Sequence, residues 1–598
     1  MKKIIFSTIL IFSSFITQAQ EKGLDKRIDE AFAPISDFFS KTVFFEIAGY
    51  PFVILLLIVS AAFFTLYFGF PNFRYFKTAI NVVRGKYDDI EKDDPNSNDG
   101  EVSHFQALAT AVSGTVGNGN IAGVALAIAL GGPGATFWMI ICGLIGMSSK
   151  FVECTLGVKY RDVGEDGTVY GGPMYYLTKG LKERGFTTLG KVAAVFFAIF
   201  CIGGSFGGGN AAQSNQATLV LKQLLGLEST SAGALIGLVL AILVGIIIIG
   251  GIKRIASVAS KIIPIMGLIY FGGALIILVE NYQNVIPSFN AIFAQVFTGS
   301  AAMGGFLGAS FAMSLKYGVA RGLYSNEAGQ GSSPIAHASS KNKSIDQGVV
   351  SILEPFIDTI VVCSVTALVI LSSGVWTQKF DTNFSKTDMV VLEGIYSDEK
   401  TVDGSYLYPD HINELTNYVQ SVDSNVKEFS GLLEIEDGKL ISNNVTVIHS
   451  RSIAEDITIS NTNNINDGLF SGKVNVLNGK VTDQVSISGK SLVSSAELTA
   501  KAFSQGILGQ YGGKLVAIAL LLFAFSTSIT WCYYGDRSTA YIFGEKGVVW
   551  YRNFYVLCFV LAAVIDTTVV WNIAYVVVAL VSIPNLIAMF VLRKEMKS

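Results

Sequence analysis

The chain contains many stretches of 18 or more residues that are apolar and almost free of charged side chains. A helix of about 20 apolar residues crosses the hydrocarbon core of a bilayer, which is about 30 Å thick. Only 15% of the 598 residues are charged, against about 25% in a typical soluble domain. The sequence therefore predicts an all-α polytopic membrane protein with the lipid bilayer as its surroundings.

Eleven membrane-spanning helices are predicted. Basic residues recur in every second loop, and the positive-inside rule then places the C-terminal tail, 593–598, in the cytoplasm. One extra helix at 46–70 precedes ten core helices, of which the first seven occupy 105–376 and the last three 512–592. The predicted spans are 46–70, 105–131, 135–157, 190–220, 232–252, 262–280, 295–322, 347–376, 512–535, 552–567 and 569–592.

Residues 1–19 are typical of a signal peptide. Lys2 and Lys3 precede an apolar run from Ile4 to Ile16, followed by Thr17-Gln18-Ala19. The alternative is an uncleaved first helix, but the run is short for a bilayer. Cleavage would leave segment 20–45 in the periplasm, and the whole pattern predicts a multi-pass protein of the bacterial inner (plasma) membrane.

Segment 377–495, called the insert below, does not resemble the rest of the chain. It is polar and rich in Asn, Ser and Asp, with short alternating runs at Val445–Ile448 and Val485–Ser488. Such runs predict β-strands separated by turns, and the loop order places them in the periplasm. We expect a β-rich inserted domain, with a disordered loop as the alternative. It is expected to supply no residue to a site in the membrane and to be dispensable for transport.

The first core span has helix-breaking residues at its centre. Gly114, Gly117 and Gly119 alternate there with Asn118 and Asn120, and both residue types are poor helix formers. Unwound backbone at bilayer depth is tolerated where it lines a cavity. The N-terminal end of the second half-helix would attract an anion, and the last carbonyls of the first would attract a cation. The alternative is a glycine-rich packing face.

A second break is predicted in span 295–322, at Gly299, Gly304, Gly305 and Gly308. If the ten core helices form two inverted halves of five, this span is the sixth, and corresponding helices should be interrupted together. The eighth core helix carries Ser526-Thr527-Ser528, whose hydroxyls suit an alkali cation but also bond to helix backbone. In the third, the amide of Gln213 suits either a ligand or a neighbouring helix.

Four stretches resemble the alanine or glycine:cation symporter family of the amino acid–polyamine–cation superfamily. They are Gly114–Gly123 with Gly131–Ala135, Gly171–Tyr175, Gly318–Gly329 and Phe523–Thr527 with Trp531 and Tyr533–Gly535. The resemblance implies a leucine transporter-type 5+5 inverted-repeat core with one extra N-terminal helix. It also implies symport of a small neutral amino acid, with sodium as the coupling ion and no other cofactor.

The resemblance also implies which residues bind. The substrate would contact Asn118, Gly119, Asn120, Gln213, Phe306, Thr527 and Trp531, with Trp531 limiting the size of its side chain. Sodium would lie between the first and eighth core helices, at Ser113, Val116, Ala524, Thr527 and Ser528. Typical members have threonine where Asn118 stands and lack the insert, so neither the substrate preference nor a role for the insert carries over.

Other classes of function fit less well. The net charge of −3 does not indicate a nucleic-acid partner. An enzyme would need a catalytic cluster, yet the four histidines are expected in loops and the acidic residues near span ends are scattered: Glu153, Glu354, Asp358 and Asp536. A nutrient receptor would need a cytoplasmic signalling domain. A proton-coupled carrier of another small amino acid remains the alternative within transport, and the oligomeric state is not predicted.

Overall fold

The computed structural model describes residues 45–47, 49–87, 100–227, 229–341, 344–386, 388–441, 444–461, 468–563 and 568–596. The predicted signal peptide, 1–19, and residues 20–44 of the segment that follows it lie outside the described residues. About 66% of the described residues are helical.

The helices up to the insert are separated by connections of different lengths, and the longest within the described residues, 160–186, itself contains a short helix at 173–183. They are α1 (Phe52–Tyr67), α2 (Phe76–Val83), α3 (His104–Thr115), α4 (Gly119–Gly131), α5 (Gly134–Lys159), α6 (Thr187–Leu225), α7 (Thr230–Ile248), α8 (Gly251–Glu280), α9 (Tyr282–Ala294), α10 (Phe311–Asn326), α11 (Ser333–His337) and α12 (Asp346–Ser373). Two small antiparallel pairs accompany them: β1 (Glu46–Ile47) with β2 (Tyr50–Pro51), and β3 (Asp162–Val163) with β4 (Val169–Tyr170).

Among its described residues the insert contains two antiparallel sheets and one helix. The smaller sheet has the order β10-β9-β6 and the larger one β13-β12-β7-β8-β11-β14-β5. The elements are β5 (Phe380–Asn383), β6 (Met389–Glu393), α13 (Pro409–Val419), β7 (Gly431–Glu436), β8 (Lys439–Leu440), β9 (Val445–His449), β10 (Ser452–Ile453), β11 (Glu455–Ser460), β12 (Gly472–Leu477), β13 (Lys480–Val481) and β14 (Ser486–Ser491).

The two sheets of the insert share an apolar core because buried and exposed side chains alternate along their strands. In β7, Leu433 and Ile435 are buried while the residues between and beside them are exposed. They join Val474 of the larger sheet and Val391 of the smaller one in a single apolar cluster. The chain then returns to the bundle as α14 (Ser495–Phe503), α15 (Gln510–Phe543), α16 (Glu545–Ala562) and α17 (Thr568–Leu592).

Six helices among the described residues are long and apolar enough to cross a bilayer: α5, α6, α7, α8, α12 and α15. The pair α3 and α4 passes the same test when taken together, and α1 is apolar but has only 16 residues. These helices are those of a multi-pass membrane protein. The eleven spans and the inverted repeat stay predictions.

The first core span is broken where its glycines and asparagines predict. α3 ends at Thr115 and α4 begins at Gly119, with a bend of 55° between them. Asn120 stabilises the break: its Oδ1 accepts a hydrogen bond from Gly117 N–H at 2.8 Å. Its Nδ2 donates to Ser325 Oγ at 3.0 Å and to Asp358 Oδ1 at 2.6 Å. One buried amide therefore replaces the helical bond of the unwound turn and ties it to α10 and α12.

The predicted span 295–322 is wrong in its first half. Residues 295–310 are not helical, and Gly299, Gly304 and Gly308 adopt positive φ angles in an irregular segment that packs beneath the insert. Helix begins only at Phe311. The unwound turn that faces the bundle interior follows α10 instead, between Glu327 and Ser332. Glycine marks irregular backbone but does not place it relative to the membrane.

Replacing Asn120 with alanine should lower stability, because Gly117 N–H would be buried without its partner and Asp358 would lose a donor. We expect the free energy of unfolding to fall by about 2–4 kcal/mol. The measurement is the thermal unfolding midpoint of the purified protein in detergent. Asn553→Ala is the control, since Asn553 is exposed and bonds only within its own helix. Equal midpoints for the two variants would contradict this role.

Candidate substrate and ion site

A cavity of about 370 Å³ lies at the break between α3 and α4. This volume is at the lower end of the range of about 300–1,000 Å³ found for small-molecule sites. Parts of α6, α10 and α15 and the first residue of α14 complete its wall. The lining residues are Gly114, Thr115, Gly117, Asn118, Gly119, Ala122, Gly123, Leu126, Gly208, Gln213, Gln216, Arg321, Tyr324, Glu327, Ser495, Thr527 and Trp531.

The start of α4 faces this cavity. The first turn of a helix has amide N–H groups without partners inside the helix, and it carries the positive end of the helix dipole. Asn118 and Gly119 occupy that position in the lining. A Cβ atom at Gly119 would have its closest neighbour at 3.8 Å, so this side of the backbone is not covered by tight packing. The arrangement suits a small anionic group such as a carboxylate.

Two amide oxygens in the lining have no hydrogen-bond partner among the described residues. They are Asn118 Oδ1 and Gln213 Oε1, and both are buried. The amide of Gln213 is oriented because its Nε2 donates to Gly208 O at 3.0 Å. A buried polar atom without a partner is costly. These two oxygens are acceptors that a ligand with hydrogen-bond donors could use.

Glu327 supplies a carboxylate to the same cavity. It ends α10 with a left-handed backbone, φ 53°, and its side chain is buried. Trp531 Nε1 donates to its Oε1 at 3.2 Å, and Ser332 Oγ donates to its Oε2 at 2.5 Å. Arg321 of the same helix also lines the cavity, but among the described residues Glu327 forms no ion pair. A buried carboxylate of this kind suits a ligand that carries a positive group.

Trp531 can occupy its position because α6 has a glycine, Gly209, where it meets α15. A Cβ atom at Gly209 would lie 2.2 Å from the Cβ of Trp531, so any larger residue at Gly209 would push α15 away. Gly209 belongs to a π-helical turn, Gly207–Ala211, within α6. The indole ring is thereby fixed at the wall of the cavity, where it limits the available volume.

The candidate sodium ligands meet where α3 ends beside α15. Thr527 Oγ1 lies 3.5 Å from the Val116 carbonyl oxygen. The Ser113 carbonyl lacks its usual helical donor, because Gly117 N–H bonds to Asn120 instead. Ser528 Oγ donates to the Ala524 carbonyl at 2.8 Å, which is the backbone bond that the sequence left open as an alternative. Neutral oxygens of both helices thus converge here.

Five of the seven predicted substrate residues line the cavity: Asn118, Gly119, Gln213, Thr527 and Trp531. Asn120 lies behind the wall, where it holds the break. The structure does not bring Phe306 to the cavity. Its ring is fully buried against Trp376, with ring centroids 5.3 Å apart, in the segment that packs beneath the insert.

The sequence reasoning missed several lining residues. They are Arg321, Tyr324 and Glu327, which come from α10. Ser495 also lines the cavity, so the insert as predicted, 377–495, contributes its last residue to the site. The signal for Glu327 was its place in Ser325–Gly331, where a charged residue precedes two glycines just after the predicted span 295–322. This pattern resembles that of the first break.

A buried charge cluster supports the unwound turn after α10. Lys150 Nζ lies 3.0 Å from Glu354 Oε1 and 3.7 Å from Glu153 Oε1. Glu153 Oε2 accepts hydrogen bonds from Gly331 N–H at 3.1 Å and from Asn585 Nδ2 at 2.8 Å. Two acidic residues that are far apart in sequence therefore meet at one lysine.

The expectation that all four histidines lie in loops was also wrong. His104 lies in α3, His337 in α11, His411 in α13 and His449 in β9. His104 and His337 are buried, and both rings hydrogen-bond to the side chain of Gln347. The remaining acidic residues near span ends have separate partners: Asp358 bonds to Asn120, and Asp536 pairs with Arg552.

Comparison with known proteins gives a consistent result. Residues 36–395 and 474–598 match the Sodium:alanine symporter family, and the unmatched stretch between them, 396–473, lies inside the insert. The chain is similar to the sodium/alanine symporter AgcS of Methanococcus maripaludis, with 32% identity over 91% of this chain and 92% of that protein.

Two Bacillus subtilis proteins match over a shorter region. The putative sodium/proton-dependent alanine carrier protein YrbD is 41% identical over 56% of this chain and 64% of its own length. The probable sodium/glutamine symporter GlnT is 36% identical over 54% of this chain and 63% of its own length. The family match covers most of the chain, including the broken helix, α6, α10 and α15, which surround the cavity. The chain belongs to the Sodium:alanine symporter family of membrane transporters.

Proposed function

We propose that the protein is a secondary active transporter that couples the entry of sodium to that of a small neutral amino acid, alanine or glycine, by alternating access. The observation that carries this proposal is the unwound turn between α3 and α4. It presents helix N-terminal amides to the cavity on one side and places the Val116 carbonyl beside Thr527 on the other. A carboxylate and a cation can therefore bind to the same short piece of backbone.

The rest of the cavity suits the other end of a zwitterion. The ammonium group of an amino acid has three donors, and acceptors are available from Glu327 and from the free amide oxygens of Asn118 and Gln213. The substrate carboxylate would take the amides at Asn118 and Gly119. Asn120 then acts indirectly, because it fixes the geometry of these amides through Gly117.

The proposed coupling ion is sodium. The oxygens at the junction of α3 and α15 are carbonyls and hydroxyls, which are hard and neutral ligands suited to an alkali cation. The names of AgcS, YrbD and GlnT associate each of those relatives with sodium. We further propose that the insert and the segment before α1 lie outside the cell and that the C-terminal tail is cytoplasmic, as the distribution of basic residues predicts.

The decisive experiment measures counterflow of labelled alanine in proteoliposomes, with and without a sodium gradient. We expect sodium-dependent exchange that unlabelled glycine inhibits. Uptake driven by a pH gradient in the absence of sodium would favour the proton-coupled alternative. The absence of exchange for both alanine and glycine would overturn the proposed substrate.

Thr527→Val removes a hydroxyl at constant shape and should weaken sodium binding. We expect the sodium concentration for half-maximal uptake to rise about fivefold, as for the loss of one oxygen contact. The KM for alanine at saturating sodium should change little. Thr539→Val is the matched control, since Thr539 is buried in the same helix but bonds only to Gly535 O. Unchanged sodium affinity in the Thr527 variant would remove this residue from the ion site.

Glu327→Gln keeps the size of the side chain and removes its charge. We expect the KM for alanine to rise at least about tenfold, because a charged acceptor for the ammonium group is lost. Inhibition by propionate, which has no amino group, should be equally weak in both proteins. The control is Glu545→Gln, at a half-exposed carboxylate that begins α16. An alanine KM within twofold of the wild-type value would contradict this contact.

Trp531→Ala should enlarge the cavity and admit longer aliphatic amino acids such as leucine. Competition against labelled alanine measures this, with Trp550→Ala as the control because Trp550 is 79% exposed. We expect leucine to compete in the Trp531 variant alone. If leucine already competes as well as alanine in the wild-type protein, the small-substrate interpretation fails.

A further inference from the structure

The turn between β9 and β10 has an unusual backbone for its residues. His449 pairs with Ser452, so Ser450 and Arg451 form a two-residue turn. Both have positive φ angles, 47° and 62°. Such turns favour Asn-Gly, because a Cβ atom is disfavoured at these angles. Strain of this kind persists where contacts with the surrounding structure hold the residue in position. The second residue of this turn is an arginine, and it makes such contacts.

Arg451 leaves the insert and enters the helix bundle. Its Nη1 donates to the Leu130 carbonyl at 2.6 Å and to the Gly308 carbonyl at 3.1 Å. Its Nη2 donates to the Val419 carbonyl at 2.9 Å and contacts Met313 Sδ at 3.1 Å. The residue is only 8% exposed. One guanidinium therefore connects the end of α4, the segment before α10, the first turn of α10 and the end of α13.

The contact with Leu130 is electrostatically favourable. Leu130 lies in the last turn of α4, where carbonyls lack helical donors and the helix dipole is negative. Burial lowers the pKa of Arg451 to about 10, which leaves the side chain cationic at neutral pH. The cation caps the end of α4 that is opposite the cavity. The two ends are only about 20 Å apart at 1.5 Å per residue.

The segment before α10 is held by the insert as well. Leu307 N–H donates to the Arg451 carbonyl at 3.0 Å, and Gly305 N–H donates to the Thr377 carbonyl at 2.8 Å. The side chain of Leu307 is 2% exposed and packs in an apolar cluster with Leu392 and Leu415 of the insert. This segment leads directly into α10, whose far end carries Glu327. The ends of α4 and α10 that lie away from the cavity are thus both anchored on the insert.

We propose that Arg451 is a positioning residue for substrate binding. By fixing the outer ends of α4 and α10 to the insert, it sets where the amides at Asn118 and Gly119 and the carboxylate of Glu327 lie in the cavity. This role rests on the proposed function for its substrate, though the anchoring itself does not. It replaces the expectation that the insert is dispensable for transport.

The test compares Arg451→Met with Lys473→Met, which removes a cation from an exposed position of the same insert. In proteoliposomes, Arg451→Met should raise the KM for alanine at least about fivefold, as for the loss of charge-assisted hydrogen bonds. The turnover number should change less. Lys473→Met should behave as wild type. A KM within twofold of the wild-type value, or a lower yield of folded protein with unchanged kinetics, would overturn the proposal.

Two conservative variants decide the question if Arg451→Met does not fold. Arg451→Lys keeps a cation at the end of α4, and Arg451→Gln keeps donors without the charge. The alanine KM of the Lys variant should lie closer to the wild-type value. Equal values for the two would overturn the proposal.

A readout that needs no substrate separates this proposal from the proposed function. Amide hydrogen exchange should be faster at 124–131 and 299–310 in Arg451→Met than in wild type and Lys473→Met, with 512–535 unchanged. If wild-type protein does not exchange alanine, the proposed substrate fails, yet the exchange data still test the anchoring. Identical exchange at both segments would overturn it.

Discussion

Peptide groups that leave a helix inside an apolar bundle need new hydrogen-bond partners, because neither lipid nor hydrocarbon side chains supply them. In this protein, side chains from distant helices meet that need. Asn120 accepts from Gly117 N–H, and Thr366 donates to the Asn120 carbonyl at 2.9 Å. Thr499 of α14 donates to the Ile121 carbonyl at 3.0 Å. The unwound turn is therefore a fixed structure, and the groups left without partners are those that face the cavity.

The second unwound turn follows the same rule with charged groups. Asn585 donates to the Gly329 carbonyl at 2.9 Å, while Glu153 accepts from Gly331 N–H. Glu153 is itself placed beside Lys150, which pairs with Glu354. Buried charges in a membrane bundle are costly unless they are paired. The Lys150 cluster thus contributes to the site indirectly, because it holds the turn that begins with Glu327.

Local composition predicted the membrane class and the first break well, since long apolar runs and a Gly/Asn cluster have direct physical consequences. It misplaced the second break. The glycines at 299–308 and those at 329–331 both unwind the backbone, but only tertiary packing decides which set faces the bundle interior. Phe306 was assigned to the site with the wrong set. Arg451 could not have been foreseen, because its partners at Leu130, Gly308 and Val419 are backbone carbonyls without a sequence signature.

The shortness of the turn between α3 and α4 has a thermodynamic consequence. Val116, whose carbonyl faces Thr527, and Gly119, which lines the cavity, are three residues apart on a backbone held by one asparagine. A ligand that orders either residue reduces the conformational entropy that the other ligand must still lose on binding. The affinities for the proposed ion and the proposed amino acid are then linked, and the linkage is reciprocal. The factor by which the ion raises the affinity for the amino acid equals the factor by which the amino acid raises the affinity for the ion. Cooperative binding of the two ligands would in this case arise from a few shared peptide groups, without a large rearrangement of the helices.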